Sequence, residues 1–262
     1  MIQYDIIMEK LRRNPLKNIT LLKMLTAYHQ VMDSYLIQQK DNWGILLLLP
    51  ADAFGYDLRT YPDADTIVLM DYNSLEVLPA LIERLPKNTR LVFKLQEEPS
   101  ILGLSELYPL HKVRRFYSYS AKPGMIFTSD GDTVLSEQLD ERLLPLWAAN
   151  GYSREEIMHY FEAGAFSVSL FEGNIPLSTC FVFRNEEQIW EIGGVHTAEE
   201  GRRQGLAQRV VRTALFHTLQ RGYVPRYQVQ DTNVPSIRLA ESLGLQLAVK
   251  LTHWINYIEQ PI

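Results

Sequence analysis

The second half of the chain alternates strand and helix patterns, and this order constrains the fold more than any other feature. The run "QIWEIGGVHT" has the composition of a strand, and the polar turn "AEEGRRQG" leads directly into the amphipathic pattern "LAQRVVRTALFHTLQ". A strand "VPRYQVQ", a helix "NVPSIRLAESLG" and one or two closing strands over residues 245–258 follow. The order predicts an α/β (α+β) domain with helices packed on a sheet.

The first half is predicted to be a smaller α/β unit. Helical periodicity runs from Asn18 to Gln39, and "WGILLLLP", "TIVLMDY", "RLVFKL" and "KVRRFYSYS" are typical of strands. Helices are predicted at "SLEVLPALIERL" and near residues 99–107. Residues 121–132, "AKPGMIFTSDGD", lack periodicity, as a linker does. We therefore predict an N-terminal α/β domain, residues 1–125, without a catalytic motif, and a second domain, residues 126–262.

Composition excludes several classes of function. Twenty-six basic against 31 acidic residues give a net charge of -5, which does not favour a nucleic-acid-binding surface. The single cysteine, Cys180, excludes an intrachain disulfide and a cysteine-rich metal site, so we expect no metal. The first residues lack the order of a signal peptide, and no apolar run approaches the ~18 residues of a membrane span. We expect a cytoplasmic monomer or homodimer without membrane contact.

The turn before the amphipathic helix has the chemistry of an anion site. A helix N-terminus presents unpaired N–H groups and the positive end of the helix dipole. Gly205 and Ala207 let the backbone approach a bulky anion, and Arg202 and Arg203 add charge suited to phosphate. Neither the Gly-Lys-Ser/Thr ending of a Walker loop nor the three glycines of a dinucleotide fingerprint is present.

Two motifs, in order, resemble those of the GNAT superfamily of acetyl-CoA-dependent N-acyltransferases. The run "VHTAEEGRRQGLA" looks like the family's cofactor motif, and "DTNVPSIRLAESLGL" is similar to its next motif. The resemblance extends over roughly residues 132–258 and implies the GNAT fold, with a mixed central sheet. The "IGGV" strand and the long N-terminal region look most like the glycine N-acyltransferase-like branch. The strand and helix order of the N-terminal domain is compatible with a degenerate GNAT-like half that lacks the phosphate loop.

The resemblance implies a role for each matching position. Backbone groups of Val195 and Thr197 would pair with the pantetheine arm of acetyl-CoA, and the loop from Arg202 to Ala207 would bind its pyrophosphate. Asn233 and Ser236 would contact the pantetheine or sulfur end. The cofactor-binding residues so implied are Val195, His196, Thr197, Arg202, Arg203, Gln204, Gly205, Leu206, Ala207, Asn233 and Ser236.

Glu191 is the candidate general base. Strand alternation predicts that it shares a face with Gly193 and Val195, and histone-modifying members of the superfamily carry a glutamate base at the matching position. The alternatives are an exposed carboxylate without a catalytic role and His196 as the base, which alternation places on the opposite face. Many family members have a tyrosine that protonates the departing thiolate where this chain has Ala240, which leaves water or Tyr227 for that role.

These residues predict transfer of an acetyl group from acetyl-CoA, or another short acyl-CoA, to the amine of a small molecule or amino-acid-like acceptor. Two alternatives remain open. The absent tyrosine favours a non-catalytic acyl-CoA-binding sensor or scaffold, and an acidic chain would suit a protein N-acetyltransferase with basic substrates.

Overall fold

The computed structural model describes residues 2–96 and 98–257. These residues form two compact units. The first contains residues 1–116 and 249–262, and the second contains residues 117–248. This division differs from the boundary at residue 125 expected from the sequence, because the end of the chain returns to the first unit.

The first unit packs helices on both faces of a sheet. Its strand order is β1-β2-β3-β4-β11. The strand β2 is antiparallel to both β1 and β3, and β4 is parallel to β3. Side chains of β2 alternate between two cores, since Ile45 and Leu47 belong to one and Leu46 and Leu48 to the other. The elements are α1 (Ile2–Arg12), α2 (Ile19–Tyr28), β1 (Asp33–Gln39), β2 (Asn42–Pro50), α3 (Gly55–Thr60), β3 (Thr66–Tyr72), α4 (Leu78–Ile82), β4 (Leu91–Leu95), α5 (Glu98–Ser105) and β5 (His111–Ser120), with β11 (Gln246–Ile255) from the end of the chain.

The second unit has the same layered construction. Its strand order is β5-β10-β9-β8-β7-β6. Each neighbouring pair from β6 to β9 is antiparallel, and β10 is parallel to β9. The elements are β6 (Val134–Ser136), α6 (Leu144–Ala148), α7 (Arg154–Glu162), β7 (Phe166–Glu172), β8 (Ile175–Glu186), β9 (Ile189–Thr197), α8 (Leu206–Gln220), β10 (Val224–Gln230) and α9 (Val234–Ser242). We call the core that includes α8 and α9 the α8 core, and the aromatic core that includes Trp147, Phe181 and Phe183 the α6 core.

The two halves of the chain repeat one order of elements. Apart from α3 in the first half and β6 in the second, each has two helices, three antiparallel strands, a helix, a strand parallel to the last, another helix and a final strand. The final strands cross between the units, since β5 begins in the first and ends in the second, whereas β11 does the opposite. The expected GNAT-like repeat in the N-terminal half therefore appears in the topology.

The turn after β3 holds the position in the first half that corresponds to the predicted phosphate loop, and its side chains bond to backbone groups. After β3, the side chain of Asn73 accepts a hydrogen bond from the Trp43 backbone at 2.6 Å and donates one to the carbonyl of Asp41 at 3.1 Å. Ser74 accepts a hydrogen bond from the Glu76 backbone at 3.3 Å, and the helix that follows, α4, spans Leu78–Ile82 only. Side chains thus occupy the turn where an anion would otherwise bind.

One helix prediction was wrong in its second part. The helical periodicity predicted from Asn18 to Gln39 holds for α2, but residues 33–39 form β1. β1 pairs with β2 in antiparallel register along its whole length, from Asp33 opposite Leu48 to Gln39 opposite Asn42. Tertiary pairing here overrides a local pattern. The predicted closing strand is confirmed as β11, while Ile258, its predicted last residue, lies outside the described residues.

The described ranges contain neither a membrane-spanning helix nor a cluster of metal-ligating side chains. Within residues 2–96 and 98–257, no helix has the length and apolar character needed to cross a bilayer. The same ranges contain no group of three or more His, Cys, Asp or Glu side chains arranged to hold a metal ion.

Candidate active site

The parallel strands β9 and β10 separate shortly after they begin to pair. Ile189 pairs with Val224, Trp190 with Pro225 and Glu191 with Arg226. Over the described chain the pairing ends there, although β9 continues to Thr197 and β10 to Gln230. We call the gap between the unpaired strand segments, residues 192–197 of β9 and 227–230 of β10, the cleft; its closed end is at Glu191 and its open end is at Thr197. The unpaired edge of β9 can offer backbone groups to an extended ligand.

A β-bulge interrupts β9 inside this cleft. Gly193 pairs with Phe181 and His196 pairs with Thr179, so Gly194 and Val195 together stand opposite Cys180. Gly194 has φ +60°, and a Cβ atom at this position would lie 2.3 Å from the Phe181 ring and 2.9 Å from Trp147. Only glycine fits this conformation and this space.

The bulge corrects the predicted faces of β9. Glu191 is paired with Phe183 of the α6 core, and Gly193 also contacts that core. After the bulge the alternation reverses, so that Val195 packs on the α8 core. The prediction that Glu191 and Val195 share a face was therefore wrong. His196 contacts Asn150, just after α6, so the prediction that it lies opposite Glu191 was wrong as well.

Glu191 forms an ion pair at the closed end of the cleft. Its Oε2 accepts hydrogen bonds from Nη1 of Arg226 and Nδ2 of Asn185. The side chain of Arg226 is 5% exposed and that of Glu191 is 15% exposed. The Nε of Arg226 donates to Oγ of Ser118 at 3.2 Å. The carboxylate is therefore held in one orientation while part of it remains accessible.

The sequence reasoning did not identify Arg226 or Asn185. A signal for Arg226 was nevertheless present, because "IWEIG" and "VPRYQ" each place one charged residue third in an otherwise apolar strand. Opposite charges in such positions indicate that adjacent strands pair through them. Asn185 carried no comparable signal.

The predicted phosphate loop lies at the open end of the cleft. A 3₁₀ turn at Glu199–Gly201 follows β9, and α8 begins at Leu206 without a side-chain cap. Nε of Arg202 donates to the Thr197 carbonyl at 3.4 Å, and Gln204 donates to the Glu200 carbonyl at 2.8 Å. These bonds fix the loop while the first amides of a 15-residue helix remain free of a side-chain cap.

Gly205 is the position that tests whether this loop suits a pyrophosphate. It has φ +75°, and a Cβ built there meets no atom within 4 Å. The left-handed backbone explains the glycine, and the open space above it is what close approach of a bulky anion requires. Arg202 and Arg203 are exposed beside it. The residues present therefore fit the pyrophosphate of coenzyme A.

The second predicted motif forms the start of α9. Asn233 is its N-cap, accepting a hydrogen bond from the Ser236 backbone at 3.2 Å. Tyr227 is the first residue of β10 beyond the last pair with β9, and it is buried in the α8 core together with Cys180 and Ala240. Burial raises the pKa of Tyr227 to about 12, although a hydrogen bond with the Ser236 side chain opposes the increase. Its phenol therefore carries a proton at neutral pH.

His196 lies near the open end of the cleft. Nδ2 of Asn150 donates to the Val195 carbonyl at 3.1 Å, so Oδ1 of Asn150 is the atom 3.3 Å from Nδ1 of His196. This contact places the imidazole proton on Nδ1. Burial, followed by the charge of Arg202, lowers the pKa of His196, which is therefore neutral at pH 7.

Arg209, on the first turns of α8, is tied to the segment that precedes β6. Its guanidinium bonds Asp130 at 2.6 and 2.9 Å and Asp132 at 2.5 Å. The side chain hydrogen bonds from Arg209 are the main reason that the pKa of Asp130 is lowered to about 2. The arginine thus serves to hold the start of the helix in place.

Comparison with known proteins finds a family match in the second half of the chain. A model of the GNAT acetyltransferase family matches residues 137–253. No curated protein matches the sequence.

Solved structures extend the similarity to the whole fold. A GCN5-related N-acetyltransferase from Sphaerobacter thermophilus is 12% identical with a TM-score of 0.58, over 84% of this chain and 78% of that chain. One from Kribbella flavida is 14% identical with a TM-score of 0.56, over 92% and 96%. A tandem GNAT protein from the clavulanic acid biosynthesis pathway is 9% identical with a TM-score of 0.51, over 91% and 87%. At these identities the structures establish the fold alone. The chain therefore has a GNAT-type fold, and its residues 137–253 match the GNAT acetyltransferase family.

Proposed function

We propose that the second unit is an acyl-CoA-dependent N-acyltransferase that transfers an acetyl group to the amine of a small molecule or amino-acid-like acceptor. The observation that carries the proposal is the cleft between β9 and β10. It has an anion-suited helix N-terminus at its open end and a partly exposed carboxylate, oriented by an ion pair, at its closed end.

The cofactor site is proposed from groups that line this cleft. The backbone of Val195 and Thr197 would hold the pantetheine arm, and His196, Asn233 and Ser236 would contact the cofactor as well. The pyrophosphate would bind the loop and first helical turn, which comprise Arg202, Arg203, Gln204, Gly205, Leu206 and Ala207. Bound acetyl-CoA supplies an acyl thioester and a thiolate leaving group.

Glu191 is the proposed proton acceptor because of its place along the cleft. Since the pyrophosphate loop follows Thr197, the acyl end belongs at the opposite, closed end. Because of the bulge, the partners of Glu191 and His196 on β8 are only four residues apart, which corresponds to about 13 Å at ~3.3 Å per residue. His196 therefore lies beside the phosphate end, where proton transfer from the amine is not required.

Two side chains then account for the protons of the transfer. As the new C–N bond forms and the C–S bond breaks, Glu191 accepts a proton from the acceptor nitrogen. Tyr227, protonated at neutral pH and buried at the same end of the cleft, donates a proton to the thiolate. Solvent returns the proton from Glu191 to Tyr227 after release of the products.

A second candidate function is acyl-CoA binding without catalysis. Ala240 favours it, because the position that usually carries the acid has no ionisable group. The ion pair of Glu191 with Arg226 favours it too, since buried ion pairs also occur in proteins as structural contacts.

Release of free CoA thiol distinguishes the two functions. Acetyl-CoA is supplied with separate panels of small amines, amino acids and peptides with free N-termini or lysines. We expect steady release with the small amines or amino acids. Release with peptides alone would assign a protein N-acetyltransferase, and tight acetyl-CoA binding without release on any panel would assign the sensor.

The cytoplasmic location and the glycine N-acyltransferase-like branch remain predictions.

A further inference from the structure

Arg226 is a buried cation whose contacts converge on the proposed base. It lies on β10 at the last position that pairs with β9, directly opposite Glu191. Its Nη1 bonds Oε2 of Glu191 and its Nε bonds Ser118, so that two nitrogens of the planar guanidinium have fixed partners. A guanidinium held at two points has little freedom to turn, and neither does the carboxylate that it binds.

Asn185 approaches the same carboxylate oxygen from β8. Its Nδ2 donates to Oε2 of Glu191, while its Oδ1 is buried without a hydrogen-bond partner in the described part of the chain. An unsatisfied buried oxygen lowers stability, because the group loses its hydrogen bonds to water and gains none in the protein. Asn185 is therefore poorly explained as a stabilising residue and better explained by what it does to Glu191.

Both donors occupy Oε2 and leave Oε1 without a hydrogen bond in the described chain. A carboxylate bound through one oxygen is oriented, yet keeps a lone pair on the other oxygen for a proton. Buried ion pairs are in general weak sources of stability, because desolvation offsets the attraction. The arrangement is thus suited to orienting a proton acceptor.

We propose that Arg226, assisted by Asn185, is a positioning residue that fixes Glu191 through Oε2, so that Oε1 receives the proton of the acceptor amine. The role rests on the proposed acyltransferase function. Arg226 touches neither the acyl donor nor the acceptor in this account, and acts through Glu191 alone.

A double-mutant cycle on the full chain tests the role. Arg226→Met, Glu191→Gln and the double variant are compared in kcat, in acetyl-CoA affinity by calorimetry and in thermal unfolding. Arg184→Met, on an exposed position of β8, is the matched control. We expect Arg226→Met to lower kcat about tenfold to a hundredfold, as loss of orientation does, with acetyl-CoA affinity unchanged. In the Glu191→Gln background the same change should cause no further loss.

The possible results are distinguishable. Unchanged kcat in Arg226→Met, or equal losses with and without the Glu191 carboxylate, would overturn the positioning role while leaving the acyltransferase function in place. A wild type that releases no CoA with any acceptor would overturn both. If Arg226→Met does not fold because it leaves Glu191 unpaired, Arg226→Lys, which keeps the charge but lacks the guanidinium plane, provides the same comparison.

Discussion

Glu191 and Tyr227 lie at the same end of the cleft but on opposite faces of the sheet. Glu191 is on the face of the α6 core, opposite Phe183, and Tyr227 is in the α8 core, one residue after the partner of Glu191. A base and an acid placed on either side of one opening can serve the two ends of a single transfer reaction. This placement generates the first prediction.

Tyr227→Phe removes the proposed proton donor and keeps the ring in its core. We expect kcat to fall about tenfold to a hundredfold, within the range for general acid catalysis, while acetyl-CoA affinity and thermal stability change little. Tyr223→Phe is the control, because Tyr223 stacks on Trp190 with ring centroids 4.3 Å apart and has no proposed role in proton transfer. Equal kcat in Tyr227→Phe and wild type would assign the proton to water.

Gly205→Glu should weaken acetyl-CoA binding at least tenfold in calorimetry. The substitution puts a side chain and a negative charge into the open space above the first turn of α8. It also strains a backbone at φ +75°, by roughly 1–2 kcal/mol. Gly222→Glu separates the two effects, because Gly222 has φ +77° with similarly open space but follows the other end of the helix. Equal affinity in both variants would remove the loop from the cofactor site.

His196→Gln should leave kcat within about threefold of wild type. His196 is about 13 Å along the strand from the proposed acyl end, and glutamine preserves a polar contact for Asn150. A change confined to acetyl-CoA affinity fits a position beside the phosphate loop. A loss of kcat at saturating acetyl-CoA comparable to that expected for Glu191→Gln would instead make His196 the base.

Asp130→Asn should destabilise the protein in a pH-dependent manner. The pKa of Asp130 is lowered to about 2 by Arg209, below the ~3.9 of an unfolded aspartate. Its stabilising contribution is therefore present above about pH 4 and is lost as the pH falls toward 2. For a partly exposed pair, the difference in unfolding free energy from wild type should be up to about 1 kcal/mol at pH 7. Urea unfolding at several pH values measures it, and a difference independent of pH would contradict the account.

Most strands of the fold follow from local pattern, because a buried strand carries its own signal. The strands β2, β3 and β4 were correctly predicted from their short runs of apolar residues. β1 was not, since "DSYLIQQ" continues a helical spacing and becomes a strand only by pairing with β2. The crossing of β11 into the first unit depends on contacts far apart in sequence, which no local pattern encodes.

The candidate site shows the same limit. The turn that leads into α8 and the helix that begins near Asn233 were predictable because each depends on neighbouring residues. The faces of β9 were not, because a single extra residue at Gly194 and Val195 reverses the alternation after it. The partners of Glu191 come from two other strands, β8 and β10, and so required the register of the sheet.

The most direct test is the rate of CoA thiol release by wild type and Glu191→Gln at saturating acetyl-CoA and amine. Glu172→Gln, an exposed strand carboxylate, is the control for a change of charge. The account predicts that Glu191→Gln binds acetyl-CoA as tightly as wild type, remains folded and loses kcat by about a hundredfold or more. Equal turnover by the two proteins would contradict it.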